Sequence, residues 1–202
     1  MKIALIGATG QAGARVLAEL LDRGHEVTAI VRHPERVPVR AGVVAKRGDV
    51  LDRAALVELI AGHDAVVSSV KFKDSDPPLL IQAVREAGVK RYVVVGGAGS
   101  LETAPGVREV DGPEFPPHVR PEALKGAQFL EQLRASELDW TFISPSRVFF
   151  AGERTGSFRL GTDQMLFDHS GKSRISFEDY AVALVDELEK PRHFRRRFTV
   201  GY

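Results

Sequence analysis

The chain contains no cysteine, which excludes disulfides, thiolate metal sites and a cysteine nucleophile and gives no sign of an oxidising compartment. Phenols are scarce, with only Tyr92, Tyr180 and Tyr202 in 202 residues, so a mechanism needing a tyrosine proton donor has few positions to draw on. No apolar run approaches the roughly 20 residues that cross a bilayer. The opening run from Ile3 to Ile6 is also too short for a signal helix, so a cytoplasmic location is expected. Charge of one sign is missing too. The balance of +1 gives no global attraction to nucleic acid or to membranes. Acid pairs such as Asp74 with Asp76, and Glu178 with Asp179, lack histidines at ligand spacing, and no metal site is expected. The basic cluster Arg195–Arg197 alternates with Phe194 and Phe198 and reads as solvated charge on the approach to a strand, not as a nucleic-acid contact.

Hydrophobic residues make up 44% of the chain, enough for one good core and a single domain spanning 1–202. Short apolar runs predict strands near 2–6, 26–31, 43–47, 64–68, 90–96, 140–144 and 196–200, while 3.6-residue periodicity predicts helices near 11–23, 52–61, 77–88, 121–136 and 177–190. This alternation predicts an α/β fold: a Rossmann-type, doubly wound parallel sheet in three layers, α/β/α. The first helix sets Ala12, Val16, Leu17, Leu20 and Leu21 against Arg15, Glu19, Asp22 and Arg23, and Gly24 closes it. Ser176 and Asp179 open the last helix as a structural cap. Residues 97–120 hold four glycines and four prolines without a helical period, and 145–176 is similarly irregular. Both are expected as loops on the substrate side of the sheet.

The most informative segment is Gly7-Ala8-Thr9-Gly10-Gln11-Ala12-Gly13. It lies between an apolar strand and an amphipathic helix, with a second strand ending about twenty residues further on, the context of a dinucleotide cradle. Glycine there permits a tight turn and lets the backbone and helix N–H groups approach a pyrophosphate. At the end of the second strand an NAD site would carry a carboxylate for the ribose hydroxyls. Here the residues are Ile30-Val31-Arg32-His33-Pro34, so Arg32, with His33 or Arg36, is placed to pair with a 2′-phosphate, and NADP(H) is expected over NAD(H). The alternative for Arg32 is a solvated strand-end charge. Asp49 either accepts from the adenine amino group, with Val50 against the ring, or belongs to the cap of the next helix. Ser68, Ser69 and Val70 follow the fourth strand, and Gly96 and Gly97 the fifth. They are expected to flank the ribose and nicotinamide.

These motifs, together with Val93-Val94-Val95-Gly96-Gly97-Ala98-Gly99-Ser100, Arg120-Pro121-Glu122-Ala123-Leu124 and Ser173 to Ala181, resemble the atypical short-chain dehydrogenase/reductase superfamily. The resemblance is to its NmrA-like branch, which takes in the NADH-flavin reductase type and biliverdin reductase B, and it spans the whole chain. It implies nicotinamide cofactor binding and reduction of a flavin or similar acceptor. The wider superfamily uses Tyr-x-x-x-Lys, in which the lysine lowers the tyrosine pKa from about 10. Lys125 stands at the lysine position, but four residues before it is Pro121. Ketone reduction and epimerisation that depend on that tyrosine are therefore disfavoured. Lys125 is either a ribose ligand or a surface lysine, and His118 either a proton donor or a solvated loop residue. Ser100 matches the superfamily serine loosely, since Gly97 competes for that place. Ser144-Pro145-Ser146-Arg147 should face the substrate, and Phe149 and Phe150 either stack on a flat ring or enter the core.

The leading expectation is NADPH-dependent hydride transfer to a flat acceptor such as free FMN, FAD or a quinone, since a flavin can take its remaining proton from solvent. A non-catalytic NADP(H) sensor is the competitor, followed by an epimerase- or dehydratase-like enzyme. A small-molecule acceptor is the expected partner, with no nucleic acid and no membrane; the oligomeric state is left open.

Overall fold

The computed structural model describes residues 1–202. Its elements are β1 (Lys2–Ile6), α1 (Gln11–Asp22), β2 (Glu26–Val31), β3 (Val43–Arg47), α2 (Arg53–Ile60), β4 (Ala65–Ser68), α3 (Pro77–Glu86) and β5 (Arg91–Val95). They continue with β6 (Glu102–Ala104), β7 (Val107–Arg108), α4 (Arg120–Arg134), β8 (Asp139–Pro145), β9 (Val148–Phe150), β10 (Arg159–Gly161), β11 (Arg174–Ser176), α5 (Phe177–Glu189) and β12 (Arg196–Gly201). The main sheet runs β10-β12-β8-β5-β4-β1-β2-β3. All neighbours are parallel except β10, which runs antiparallel to β12. Strand order reverses between β1 and β4, which opens a crevice beyond their carboxyl ends.

Strand alternation builds two cores. Ile3 and Leu5 of β1 face the layer of α1 and α5, with Val16, Leu20, Tyr180 and Leu184. Ala4 and Ile6 face α2, α3 and α4, with Leu56, Leu80, Phe129 and Leu133. β4 and β5 are buried throughout, as parallel strands covered on both sides must be. Helix starts follow local chemistry. Asp52 accepts from Ala55 N–H at 3.1 Å, Asp76 from Leu79 N–H at 3.3 Å, and Ser176 Oγ from Asp179 N–H at 3.0 Å. α1 differs, because Gly10 at its N-cap offers no side-chain acceptor. No helix is long and apolar enough to cross a membrane.

The two irregular stretches hold more structure than their composition suggests. Residues 97–120 contain the β6–β7 hairpin, turning at Gly106 with φ +74°. Within 145–176, β9 pairs with β11 in parallel, and β10 edges the main sheet. Strands of two or three residues are too short to display a period of two. Two charge expectations are corrected. Glu19 is buried at the seam of α1 and α5, where its carboxylate meets Arg23 and Arg154. Arg197 is buried between Asp163, Ser100 and Ser144 instead of being solvated. Neighbouring Arg195, at φ 53°, donates to the Leu138 and Glu137 carbonyls.

Candidate functional site

The three glycines of the first turn answer to different constraints. Gly7 has φ +84°, and a Cβ there would stand 2.2 Å from the Ser69 carbonyl oxygen. At Gly13 it would stand 2.1 Å from the Gly7 carbonyl oxygen. These two let β1, the β4 loop and α1 pack together. Gly10 is different: the nearest atom to its added Cβ is 3.4 Å away, leaving backbone open beside the uncapped start of α1. The first-turn N–H groups at Gln11, Ala12 and Gly13 have no side-chain partner, which gives the cradle its donors and positive dipole end.

A cavity of about 330 Å³ opens over this turn and gathers the ends of the first four strands. Gly7, Thr9, Gly10, Arg32, His33, Arg36, Asp49, Val50, Ser69 and Val70 line it, joined by Gly48, Lys71 and Asp74. Arg32 and Arg36 are exposed on its rim, and neither forms an ion pair, whereas His33 Nδ1 lies 3.1 Å from Glu35. The cap of α2 belongs to Asp52; Asp49 instead accepts from Leu51 N–H at 3.0 Å through Oδ1.

Two expected cofactor contacts are corrected. Ser68 turns into the core, where its hydroxyl lies 2.9 Å from the Tyr92 hydroxyl. Gly96 lines neither this cavity nor the larger one beyond β5 and β8; a Cβ on it would meet the Phe142 ring at 2.4 Å, so its small size serves β5–β8 packing.

A second cavity, about 660 Å³, lies beyond β5 and β8. Phe72, Gly97, Ala98, Gly99, residues 112–116, Val119, Ala123, Glu109, Glu122 and Arg147 contribute to its wall. Two residues of the Arg-Pro-Glu motif build that wall. Arg120 donates to the carbonyls of Val110, Gly112 and Phe115 at 2.7, 3.2 and 3.3 Å. Glu122 accepts from the N–H groups of Phe72 and Lys73 at 2.7 and 2.9 Å, tying the segment after β4 to α4. The motif is visible in the sequence, but its role is not, because its partners lie as far as 50 positions away.

None of the three catalytic candidates lines either cavity. The His118 and Lys125 side chains are exposed and make no ion pair or hydrogen bond, and Ser100 Oγ accepts from Arg197 Nη1 at 3.3 Å. α4 buries Gly126, Ala127, Phe129, Leu130 and Leu133, a phase that leaves Lys125 on the outer side. Of Ser144 to Arg147 only Arg147 reaches the second cavity, since Ser144 and Ser146 are buried. Phe149 packs on Phe177 and Tyr180, with ring centroids 4.4 and 4.8 Å apart, so it belongs to the core. The tyrosines are engaged elsewhere. Burial pushes the Tyr92 and Tyr180 phenols up, Tyr180 donates to the Ile143 carbonyl at 2.7 Å, and Tyr202 donates to Asp179 at 2.7 Å.

A family model described as NAD(P)H-binding matches residues 7–191. The chain belongs to the NAD(P)H-binding family. Within that family it has the features of an atypical, NmrA-like short-chain dehydrogenase/reductase. A solved structure from Bacteroides thetaiotaomicron, proposed to be an epimerase, is 44% identical with a TM-score of 0.95, covering 100% of this chain and 96% of that one. One from Streptococcus pneumoniae, proposed to be an NADH-flavin reductase, is 35% identical with a TM-score of 0.83, covering 100% and 99%. The (4-alkanoyl-5-oxo-2,5-dihydrofuran-3-yl)methyl phosphate reductase of Streptomyces griseus is 29% identical over 98% of this chain and 67% of that protein. The cradle of this NAD(P)H-binding family member fits the group: Gly7 and Gly13 close the turn, and the backbone at Gly10 is left open to a ligand.

Proposed function

We propose that the protein is an NADPH-dependent reductase of flat, conjugated acceptors of the flavin or quinone type. The observation that carries the cofactor choice is the pair Arg32 and Arg36, free of carboxylate partners on the rim of the cradle, where β2 ends without an acidic residue. A 2′-phosphate meets two guanidiniums there, and a bare ribose would find no carboxylate at the end of β2. The uncapped start of α1 receives the pyrophosphate, and Asp49, which lines the same cavity and accepts from Leu51 N–H through Oδ1, would offer its other oxygen to the adenine amino group.

Bound NADPH supplies hydride. The protein's part is placement, with Phe72 and Phe115 flanking the second cavity and Glu122 fixing the Phe72 backbone. No histidine or tyrosine lines that cavity, so the acceptor's proton comes from water, which suits a flavin or quinone better than a ketone. The same lack suits a non-catalytic redox sensor, and turnover separates the two. The test is oxidation of NADPH and of NADH by purified protein with excess flavin or menadione, corrected for the protein-free rate. Sustained turnover favouring NADPH is expected. Tight cofactor binding without turnover of any acceptor would overturn the reductase reading in favour of a sensor.

A further inference from the structure

The wall of the second cavity carries three carboxylates, Glu109, Glu114 and Glu122, and one cation, Arg147. That cation is occupied. Arg147 Nε and Nη2 donate to the two oxygens of Glu109 at 2.7 and 2.8 Å, and its guanidinium lies 5.5 Å from the Phe167 ring centre. Glu109 is held in place because its backbone N–H donates to the Leu101 carbonyl at 2.8 Å. Its side chain is only 13% exposed. The nearby Arg120 is consumed by three carbonyls, and Arg108 pairs with Asp111. An acceptor entering this cavity therefore meets aromatic and proline surface from Phe72, Phe115, Pro113 and Pro116, and no guanidinium without a carboxylate already on it.

We infer that the Glu109–Arg147 pair makes the cavity select uncharged flat acceptors, riboflavin or a neutral quinone, over phosphorylated ones such as FMN and FAD. A phosphate brought here faces net negative charge, because the charge of the one cation on the wall is already offset by a bidentate carboxylate. Breaking the pair from the Glu109 side should unmask Arg147. The inference rests on the reductase reading for its acceptor class, but binding tests it without turnover.

The experiment compares riboflavin with FMN, by quenching of flavin fluorescence on binding and by kcat/KM with NADPH, in the wild type and in Glu109→Gln. A wild-type preference for riboflavin of about tenfold is expected, the scale of one unscreened like charge at a partly exposed site. It should shrink as salt rises. In Glu109→Gln the FMN-to-riboflavin ratio should climb several-fold, and in Glu109→Gln/Arg147→Ala it should fall back. The ratio is internal to each protein, so a general loss of activity or folded fraction does not alter it. FMN binding as tightly as riboflavin to the wild type, or a ratio unmoved by Glu109→Gln, would overturn the inference. Selective riboflavin binding with no turnover would support it while the reductase reading failed.

Discussion

At Gly7 an added methyl group would press on the Ser69 carbonyl oxygen from 2.2 Å, with the backbone at φ +84°, whereas at Gly10 the nearest atom is 3.4 Å away. Gly7→Ala should therefore lower stability by about 2–4 kcal/mol, through strain and a backbone clash together. Gly10→Ala should leave the urea midpoint nearly unchanged yet weaken NADPH binding, because the added methyl occupies the approach to the helix N-terminus. Comparing the two by denaturation and by cofactor titration separates fold from site at one turn. Arg32 is a similar case. It is exposed and unpaired, so Arg32→Asp should not affect folding, while charge-assisted bonds of about 1.5–3 kcal/mol predict a roughly 10- to 100-fold loss of NADPH affinity. Relative use of NADH should rise. Equal NADPH and NADH affinities before and after the change would end the 2′-phosphate assignment.

Between elements, the decisive contacts are charged groups that bridge helices and loops. Glu122 joins α4 to the segment after β4 by holding the Phe72 and Lys73 N–H groups. Glu122→Ala should cost about 1–3 kcal/mol through the donor left buried at Phe72, and should raise KM for the acceptor more than for NADPH. On the opposite layer, Glu19 of α1 accepts two bonds from Arg154 and one from Arg23, while Arg23 also reaches Asp186 and Glu189 of α5. The Arg154 bonds outweigh burial and hold the Glu19 carboxyl below its ordinary value. Burial raises Glu189, but Arg23 and His25 more than offset it, and its pKa is lowered too. A carboxyl with a depressed native pKa contributes stability that is complete above the unfolded value of about 4.3 and is lost as pH falls through the native one. Urea midpoints should thus hold between pH 7 and pH 5 as far as these groups decide and drop below about pH 4. Glu19→Gln should flatten that drop. A profile as steep as the wild type's would show that the α1–α5 seam does not drive acid unfolding.

Over the whole molecule, one sheet threads both cores, and Trp140 is buried on β8, the third strand from the β10 edge. Tryptophan fluorescence and far-ultraviolet circular dichroism should report one coincident unfolding transition; separated midpoints would mean that the β8–β12 edge unfolds apart from the β1–β3 edge. Much of this architecture was legible in the chain. Strand-helix alternation and the Gly7–Gly13 spacing are local patterns, set by residues within a few positions of one another, and they led to a parallel Rossmann sheet and to the cradle. The convergence of Arg32, Arg36, Asp49 and Val70 on one cavity also followed, because strand ends of a parallel sheet must share an edge. Side-chain direction at Ser68, Ser100 and Lys125, and the packing around Gly96, did not follow. It depends on how β5 docks on β8 and on the phase at which α4 settles, which no short window encodes. The pairings that shape the second cavity, Glu109 with Arg147 and Glu122 with Phe72, span 38 and 50 positions. The sequence by itself determined the fold class and the glycine turn that opens α1 through short-range patterns; tertiary packing alone decided which charges are spent on one another and which remain for a ligand, because ion pairing depends on distance in space and not along the chain.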